Sequence, residues 1–248
     1  MTFAPWDLVA RLWDDTQGRF GDSYRRQVIH PWLRSALARD SDGAGPRRVL
    51  DAGCGTGATV RWLAGEFAQA QFHGVDSSEQ MVLQAQRWER QFPIRARFDV
   101  CDLEKAQPIN SGGVQFDSIV CLFTLQDLSN VRAALANLAG CSAEGTLLAV
   151  VVEDIGRAAE TTRLKTLRAE QHLDALGHIH ENILWEKAPG VRTSTVHRPM
   201  GFYMEEAERA GFDVAETPTM LKPEGELDPS IDGYRLKPMF SAVLFERV

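Results

Sequence analysis

The stretch Val49-Leu50-Asp51-Ala52-Gly53-Cys54-Gly55-Thr56-Gly57-Ala58-Thr59-Val60 decides how the rest of this chain is read. It starts as a short apolar strand, passes an acid at Asp51, sets glycine at 53, 55 and 57, and runs on into a helix-like segment. Glycine has no Cβ, so backbone at these positions can pass close to a ligand. The helix that follows offers free N–H groups in its first turn. A strand, a glycine turn and a helix in this order bind a nucleotide-like ligand at the carboxyl edge of a parallel sheet. Two features depart from the dinucleotide form of that turn. The spacing is G-x-G-x-G rather than G-x-G-x-x-G, and Asp51 stands where a pyrophosphate would be repelled. A carboxylate there suits a ligand that carries an ammonium group.

Outward from this turn, strand-like and helix-like segments alternate, which predicts a mostly parallel sheet. Strands are expected at 49–51, 71–76, 95–102, 116–123, 145–152, 212–217 and 240–245, with helices at 56–67, 78–90, 131–139 and 204–210. Ser77 or Ser78 is placed to cap the second of these helices. Before the alternation, residues 1–40 carry two amphipathic helical segments parted by Gly18 and Gly21, and Pro31 is expected to kink or restart the second. After the fifth strand the alternation pauses. Helix-forming residues at 158–176 predict a helical cap within an insertion at 156–203, and 221–238 reads as a loop. The whole chain, 1–248, is read as one domain.

The first three strands each end in an acid: Asp51, Asp76 and Asp102. An acid about twenty residues past the glycine turn bonds ribose hydroxyls in Rossmann-like folds, which is the place of Asp76. Glycine turn and acids together resemble the class I methyltransferases that use S-adenosylmethionine (SAM), over about 24–152 and more loosely at the end of the chain. The resemblance implies an α/β fold, a Rossmann-like seven-stranded mostly parallel sheet with helices on both faces, and SAM as cofactor. It implies a SAM site at Asp51, Gly53, Gly55, Gly57, Asp76 and Ser77, with Asp102 and Leu103 at the adenine. Met81 would pack on the adenine, although a core methionine explains it equally well. The strand 116–123 and its continuation to Leu128 are similar to the family's fourth motif, in which backbone around Cys121 to Gln126 receives the methionine ammonium. Many relatives carry histidine where this chain has Gln126 or Asp127, so a base at that position stays open. Tyr24 resembles a residue that closes on the methionine end; a core tyrosine is the competing reading. Residues 197–203 and 210–212 resemble the lead into the sixth strand.

Methyl transfer from a sulfonium needs mainly an aligned nucleophile. A base is required only when the acceptor arrives protonated, and histidine suits that role. His180 and His197 in the cap are the histidine candidates, and Glu153 joins them because it closes the fifth strand, facing the ligand crevice. Their bland readings are polar residues of a solvated lid and a strand-end acid. His172, Asp174, His178 and His180 match no standard metal spacing, so no metal is expected. Trp6, Trp13, Phe20, Trp185, Phe202 and Tyr203 either line an apolar acceptor pocket or pack the cap.

Composition narrows the function classes. The net charge of −7 weighs against a nucleic-acid partner, whose phosphates reward basic surfaces. No apolar run approaches the roughly 20 residues of a membrane span. The first residues lack a signal-peptide pattern, and the four cysteines form no C-x-x-C pair. A cytoplasmic protein with buried thiols is expected, as monomer or homodimer. The expected function is methylation of an oxygen or nitrogen on a small molecule, in specialised metabolism. The rivals are an NAD-dependent oxidoreductase, a SAM-binding protein that transfers nothing, and a methyltransferase of protein or RNA.

Overall fold

The computed structural model describes residues 5–39, 45–105, 109, 113, 115–153, 166–173, 179–223 and 240–248. The strands in chain order are β1 (Arg48–Ala52), β2 (Gln71–Asp76), β3 (Ala96–Val100), β4 (Phe116–Leu122), β5 (Ser142–Glu153), β6 (Thr166–Leu173), β7 (Ile179–Ala188), β8 (Val191–His197), β9 (Phe212–Met220) and β10 (Phe240–Arg247). Helices are α1 (Pro5–Gln17), α2 (His30–Leu37), α3 (Ala58–Glu66), α4 (Glu79–Gln91), α5 (Val131–Gly140) and α6 (Met200–Arg209). Seven strands form the main sheet in the order β3-β2-β1-β4-β5-β10-β9. The first five run parallel to one another, and β10 runs antiparallel to both β5 and β9.

Central strands of such a sheet are covered on both faces, so they read as continuous apolar runs. Strand β1 obeys this rule: Val49, Leu50 and Ala52 are fully buried. Its side chains alternate between two cores. Val49 joins the layer of Leu33, Leu37, Val60 and Leu63 from α2 and α3. Leu50 joins the layer of Leu135, Leu138 and Ala207 from α5 and α6. Truncating Leu50 to alanine would cost about 2–5 kcal/mol. Because β1 is flanked by β2 and β4, the winding reverses there, and the crevice opens beyond the carboxyl ends of these strands.

The N-terminal cover is helical, as its periodicity predicts. Helix α1 crosses α4: Asp7 Oδ1 accepts from the Ser78 hydroxyl at 2.6 Å and from the Gln80 N–H at 3.1 Å, and Asp14 Oδ1 accepts from Trp88 Nε1 at 2.8 Å. Ser78 is the N-cap of α4, accepting from the Met81 N–H at 3.2 Å. Arg61 of α3 ties down the loop after α1 by donating to the carbonyls of Gly18 and Arg19. The second segment is a π-helical turn, Arg25–Ile29, running into α2 with Pro31 in its first turn. Proline has no N–H to lose there, so the chain restarts as an α-helix.

The cap differs from the expectation. Within 156–203, the described residues of 166–173 and 179–197 are not helical. They form a three-stranded antiparallel sheet, β6-β7-β8. The turn at Gly190, whose φ is +76°, joins β7 to β8. Strand β8 has a period of two, with Thr193, Thr195 and His197 buried. Strand β6, Thr-Leu-Arg-Ala-Glu-Gln-His-Leu, is built largely of good helix formers and is held extended by its ladder to β7. Pairing context overrides weak local propensity. The rest of the expected helix, 158–165 and 174–176, lies outside the described residues, as does the loop at 224–238. Elsewhere α6 starts at Met200, four residues before the expected 204, and β9 runs on to Met220.

Candidate active site

The glycine turn approaches the ends of both neighbouring strands. Gly53 and Cys54 donate N–H bonds to the Val75 carbonyl at 2.8 and 2.9 Å. Gly53 has φ +82°, and a Cβ added to it would lie 2.0 Å from Thr124 Oγ1, so the turn lies against the exit of β4. The N–H of Gly55 donates to Asp76 Oδ2 and that of Ser78 to Asp76 Oδ1, both at 2.9 Å. Asp76 thereby locks the turn to the start of α4. Its carboxyl is raised above the usual range by burial, which those two bonds oppose.

Asp51 is buried at the end of β1, and its Oδ2 has no hydrogen-bond partner among the described residues. Burial first, and the nearby charge of Asp76 second, push its carboxyl up to about 7, with Arg25 pulling the other way. A buried carboxyl atom without a donor is costly, and it marks a place for a cationic ligand. Arg25 enters from the π-helical turn. It donates to Gln17 Oε1 and, at 3.2 Å, to Asp22 Oδ2, and lies 5.1 Å above the Phe123 ring. Asp51 and Arg25 thus set opposite charges side by side, complementary to an amino-acid zwitterion. Thr56 Oγ1 is a second buried polar atom without a partner near the turn.

One cavity of about 460 Å³ joins these groups to the cap. Of the expected cofactor residues, Tyr24, Asp51, Gly53, Gly55, Asp76, Ser77, Met81, Asp102, Leu103 and Gln126 line it. Gly57 and Cys121 do not. Gly57 has φ +76° and starts α3 with its Cα against Phe98 and Ala85, and Cys121 is fully buried in the layer behind β4. The Tyr24 hydroxyl donates to the Leu221 carbonyl at 3.3 Å and its ring packs on Phe240. Trp6 and Trp13 of α1 line the cavity, whereas Phe20, Phe202 and Tyr203 do not.

The cap end of the cavity is built on the turn after β4. Phe123 takes a positive φ of 61°, unusual for a bulky residue, and donates its N–H to the Val151 carbonyl at 2.8 Å. A 3-10 turn follows, Leu125–Asp127. Gln126 Oε1 accepts from the Glu153 N–H at 2.7 Å, and Arg198 donates to the carbonyls of Leu125 and Leu128. Asp127 Oδ1 accepts from Thr195 Oγ1 at 2.9 Å. Burial pushes the Asp127 carboxyl up to about 7 against the Thr195 bond and the charge of Lys187. Lys187 also faces the Trp6 and Trp13 rings, 5.3 and 5.7 Å from their centroids.

The three catalytic candidates separate here. Glu153 lines the cavity, bonded through Oε2 to Nε2 of His197. His197 is fully buried behind it and does not reach the wall. His180 does not reach the wall either: it is buried with its ring edge-on to Phe202 of α6 at 5.0 Å. The strand pairing of β7 with β8, invisible to a helical reading of the cap, turns it there. Arg25, Asp127, Lys187 and Thr193 were not picked out as site residues by sequence reasoning. Only Asp127 carried a signal, as one of two positions, with Gln126, where many relatives carry histidine.

Residues 50–148 match the methyltransferase domain family. A trans-aconitate 2-methyltransferase of Pseudomonas paraeruginosa is 35% identical over 100 residues, 40% of this chain and 35% of that protein. One from an Acidovorax species is 31% identical over 136 residues, 55% of this chain and 47% of that protein. The chain therefore matches less than half the length of these relatives. In structure it is similar to a SAM-dependent methyltransferase from Mesorhizobium loti, with TM-score 0.60 and 21% identity over 88% of this chain and 96% of that one. Glycine turn, strand-end acids and sheet order agree with these likenesses: residues 50–148 match the methyltransferase domain family, the fold is that of SAM-dependent methyltransferases, and together they support a class I SAM-dependent methyltransferase.

Proposed function

We propose that this chain methylates an oxygen or nitrogen of a small-molecule acceptor, as an enzyme of specialised metabolism, with SAM as the donor. One observation carries the reading: a single cavity runs from the unpartnered carboxyl of Asp51 to the cap, with Trp6 and Trp13 in its walls. When bound, SAM supplies a methyl group on a sulfonium, already a strong leaving group. Asp51 would receive its ammonium and Arg25 its carboxylate. Asp76 would take the ribose hydroxyls, at the cost of loosening its hold on Gly55 or Ser78. Leu103 and Met81 would face the adenine, with Asp102 at its amino group. The protein's own contribution is to align the acceptor and exclude water, for which a walled cavity is suited. The four cysteines are free and buried, which supports a reducing cytoplasm as its compartment.

Calorimetry with SAM tests the cofactor half. Tight binding to the wild type and its loss in Asp76→Ala are expected; no binding to the wild type sinks the reading. A carboxylic acid as acceptor is a second reading, favoured by the relatives named for trans-aconitate and by Lys187 in the cavity wall.

A further inference from the structure

We propose that the acceptor is an amine, bound as its ammonium at the cap end of the cavity, and that Asp127 removes its proton. The inference rests on the proposed methyl transfer and names its substrate class. The charge balance of the cavity comes first. Seven carboxyl side chains line it against two basic ones. At the glycine turn the charge of Arg25 acts on Asp51 without an ion pair, and Asp76 is engaged by backbone N–H groups. At the cap end stand Asp127 and Glu153, with Lys187 as the basic side chain that lines it. Two carboxyl groups there repel a carboxylate and attract an ammonium.

The second observation is independent of charge. Strand β8 turns Thr193 and Thr195 to its buried face. Thr193 lines the cavity at 3% exposure, and its Oγ1 has no hydrogen-bond partner among the described residues. A buried hydroxyl left without a partner implies a polar ligand group beside it. Two residues on, Thr195 donates to Asp127 Oδ1, which orients that carboxyl. Thr195 from β8 and Lys187 from β7 favour its ionised form, while Glu153 from β5 and Asp76 from β2 oppose it. His197 acts one step back, through Glu153. A carboxyl that titrates near neutrality is suited to proton removal at neutral pH.

Atoms and charge balance. The ammonium N–H bond breaks and its proton passes to the Asp127 carboxylate. The freed lone pair on nitrogen forms the N–CH3 bond as the C–S bond breaks, leaving its electron pair on sulfur. The product is a methylated ammonium, and Asp127 returns its proton to water when the product leaves. Methylation of a carboxylate would need no such base.

The test uses the full chain loaded with S-adenosylhomocysteine, so that cofactor binding is established before any acceptor is added. Phenethylamine, an aminopentose, benzoate and a tricarboxylate are titrated into it by calorimetry, against wild type and Asp127→Asn. Amine binding that falls at least tenfold in Asp127→Asn is expected, with S-adenosylhomocysteine affinity unchanged and the melting temperature not lowered. Turnover with methyl-labelled SAM then gives a label stable to mild alkali, and log(kcat/KM) rises with pH through the Asp127 midpoint. Asp127→Glu restores part of the rate, and Asp127→Asn flattens that limb of the profile. Three outcomes overturn the proposal: acids bind and amines do not, no amine binds the loaded protein, or the label leaves in alkali as a methyl ester. Failure to bind S-adenosylhomocysteine at all overturns the methyltransferase reading instead.

Discussion

Replacing Asp51 with asparagine is expected to stabilise the ligand-free protein while destroying its cofactor site. The folded carboxyl titrates at about 7 against an ordinary 3.8, because burial and Asp76 penalise the charged form. A carboxyl whose folded pKa is raised binds its proton more tightly in the native state. Stability is therefore lost as pH rises from 3.8 to about 7, and the full penalty persists above that. At 1.36 kcal/mol per pH unit the penalty comes to about 4 kcal/mol at pH 8. Asparagine removes the charge but leaves an amide to satisfy in the same buried place, which costs about 1–3 kcal/mol. The net gain at pH 8 is about 1–3 kcal/mol. In a domain of this size that is roughly 2–4 °C of melting temperature per kcal/mol.

The pH dependence is the sharper readout, since the cost of the amide does not titrate. Between pH 8 and pH 5 the stability gap between variant and wild type should narrow by about 2.7 kcal/mol. Urea denaturation at four pH values across that range measures it. Calorimetry with SAM gives the converse effect. Losing one partner of a buried charge pair costs about 2–5 kcal/mol, at least a thirtyfold loss of affinity. Binding to the wild type near pH 6 should also release a proton, visible as a heat that varies with buffer ionisation. If the Asp51→Asn variant melts with the wild type at pH 8 and the gap stays flat down to pH 5, Asp51 is not an uncompensated charge awaiting an ammonium.

Other perturbations probe the surrounding frame. Gly53→Ala meets Thr124 Oγ1 at 2.0 Å as well as an unfavourable φ, whereas Gly18→Ala meets nothing within 4 Å at φ +60°. The second should cost only the strain of a left-handed residue, about 1–2 kcal/mol, and the first clearly more; equal melting temperatures would refute the close approach. Asp7→Ala removes the acceptor for Ser78 and Gln80, which should loosen α1 and release S-adenosylhomocysteine about tenfold faster in a stopped-flow chase. An unchanged off-rate would mean that α1 does not gate the cavity. The Glu206 carboxyl is held below its ordinary 4.5 chiefly by hydrogen bonds from Arg132. Its stabilisation is present above pH 4.5 and lost as pH falls through the folded midpoint. Arg132→Ala should raise that midpoint in a carboxyl NMR titration, and an unmoved midpoint would show that Arg209 alone sets it.

Most of the main sheet was legible because its information is local. Strand β1 announces itself by a buried apolar run, and the turn after it by glycines that the structure finds at φ +82°, +52° and +76°. Asp76 was readable from its distance past the turn, and the N-cap of α4 from a serine before a helical pattern. The cap was not legible, because its strands are held by pairing rather than by composition. Nothing in Thr-Leu-Arg-Ala-Glu-Gln-His-Leu says that it must be extended. Only the ladder to β7 does so. Arg25 escaped for a related reason: an arginine on an amphipathic helix is ordinary until a π-helical turn brings it to Asp51.

The two ends of the cavity are therefore encoded differently, and this bears on how such a chain can change its substrate. The proposed cofactor end is built mainly within a few positions of three strand ends, with Arg25 added from the π-helical turn. The proposed acceptor end draws on several distant places: Asp127 after β4, Glu153 closing β5, Lys187 on β7, and Thr193 and Thr195 on β8. Their positions depend on how the three-stranded sheet docks, through Arg198 on the carbonyls of Leu125 and Leu128 and Thr195 on Asp127. A change in β8 can alter the acceptor without touching the glycine turn. By the same logic, the family match over 50–148 speaks for the donor and is silent about the acceptor, which must be argued from the charges and hydroxyls that the cap brings to the cavity.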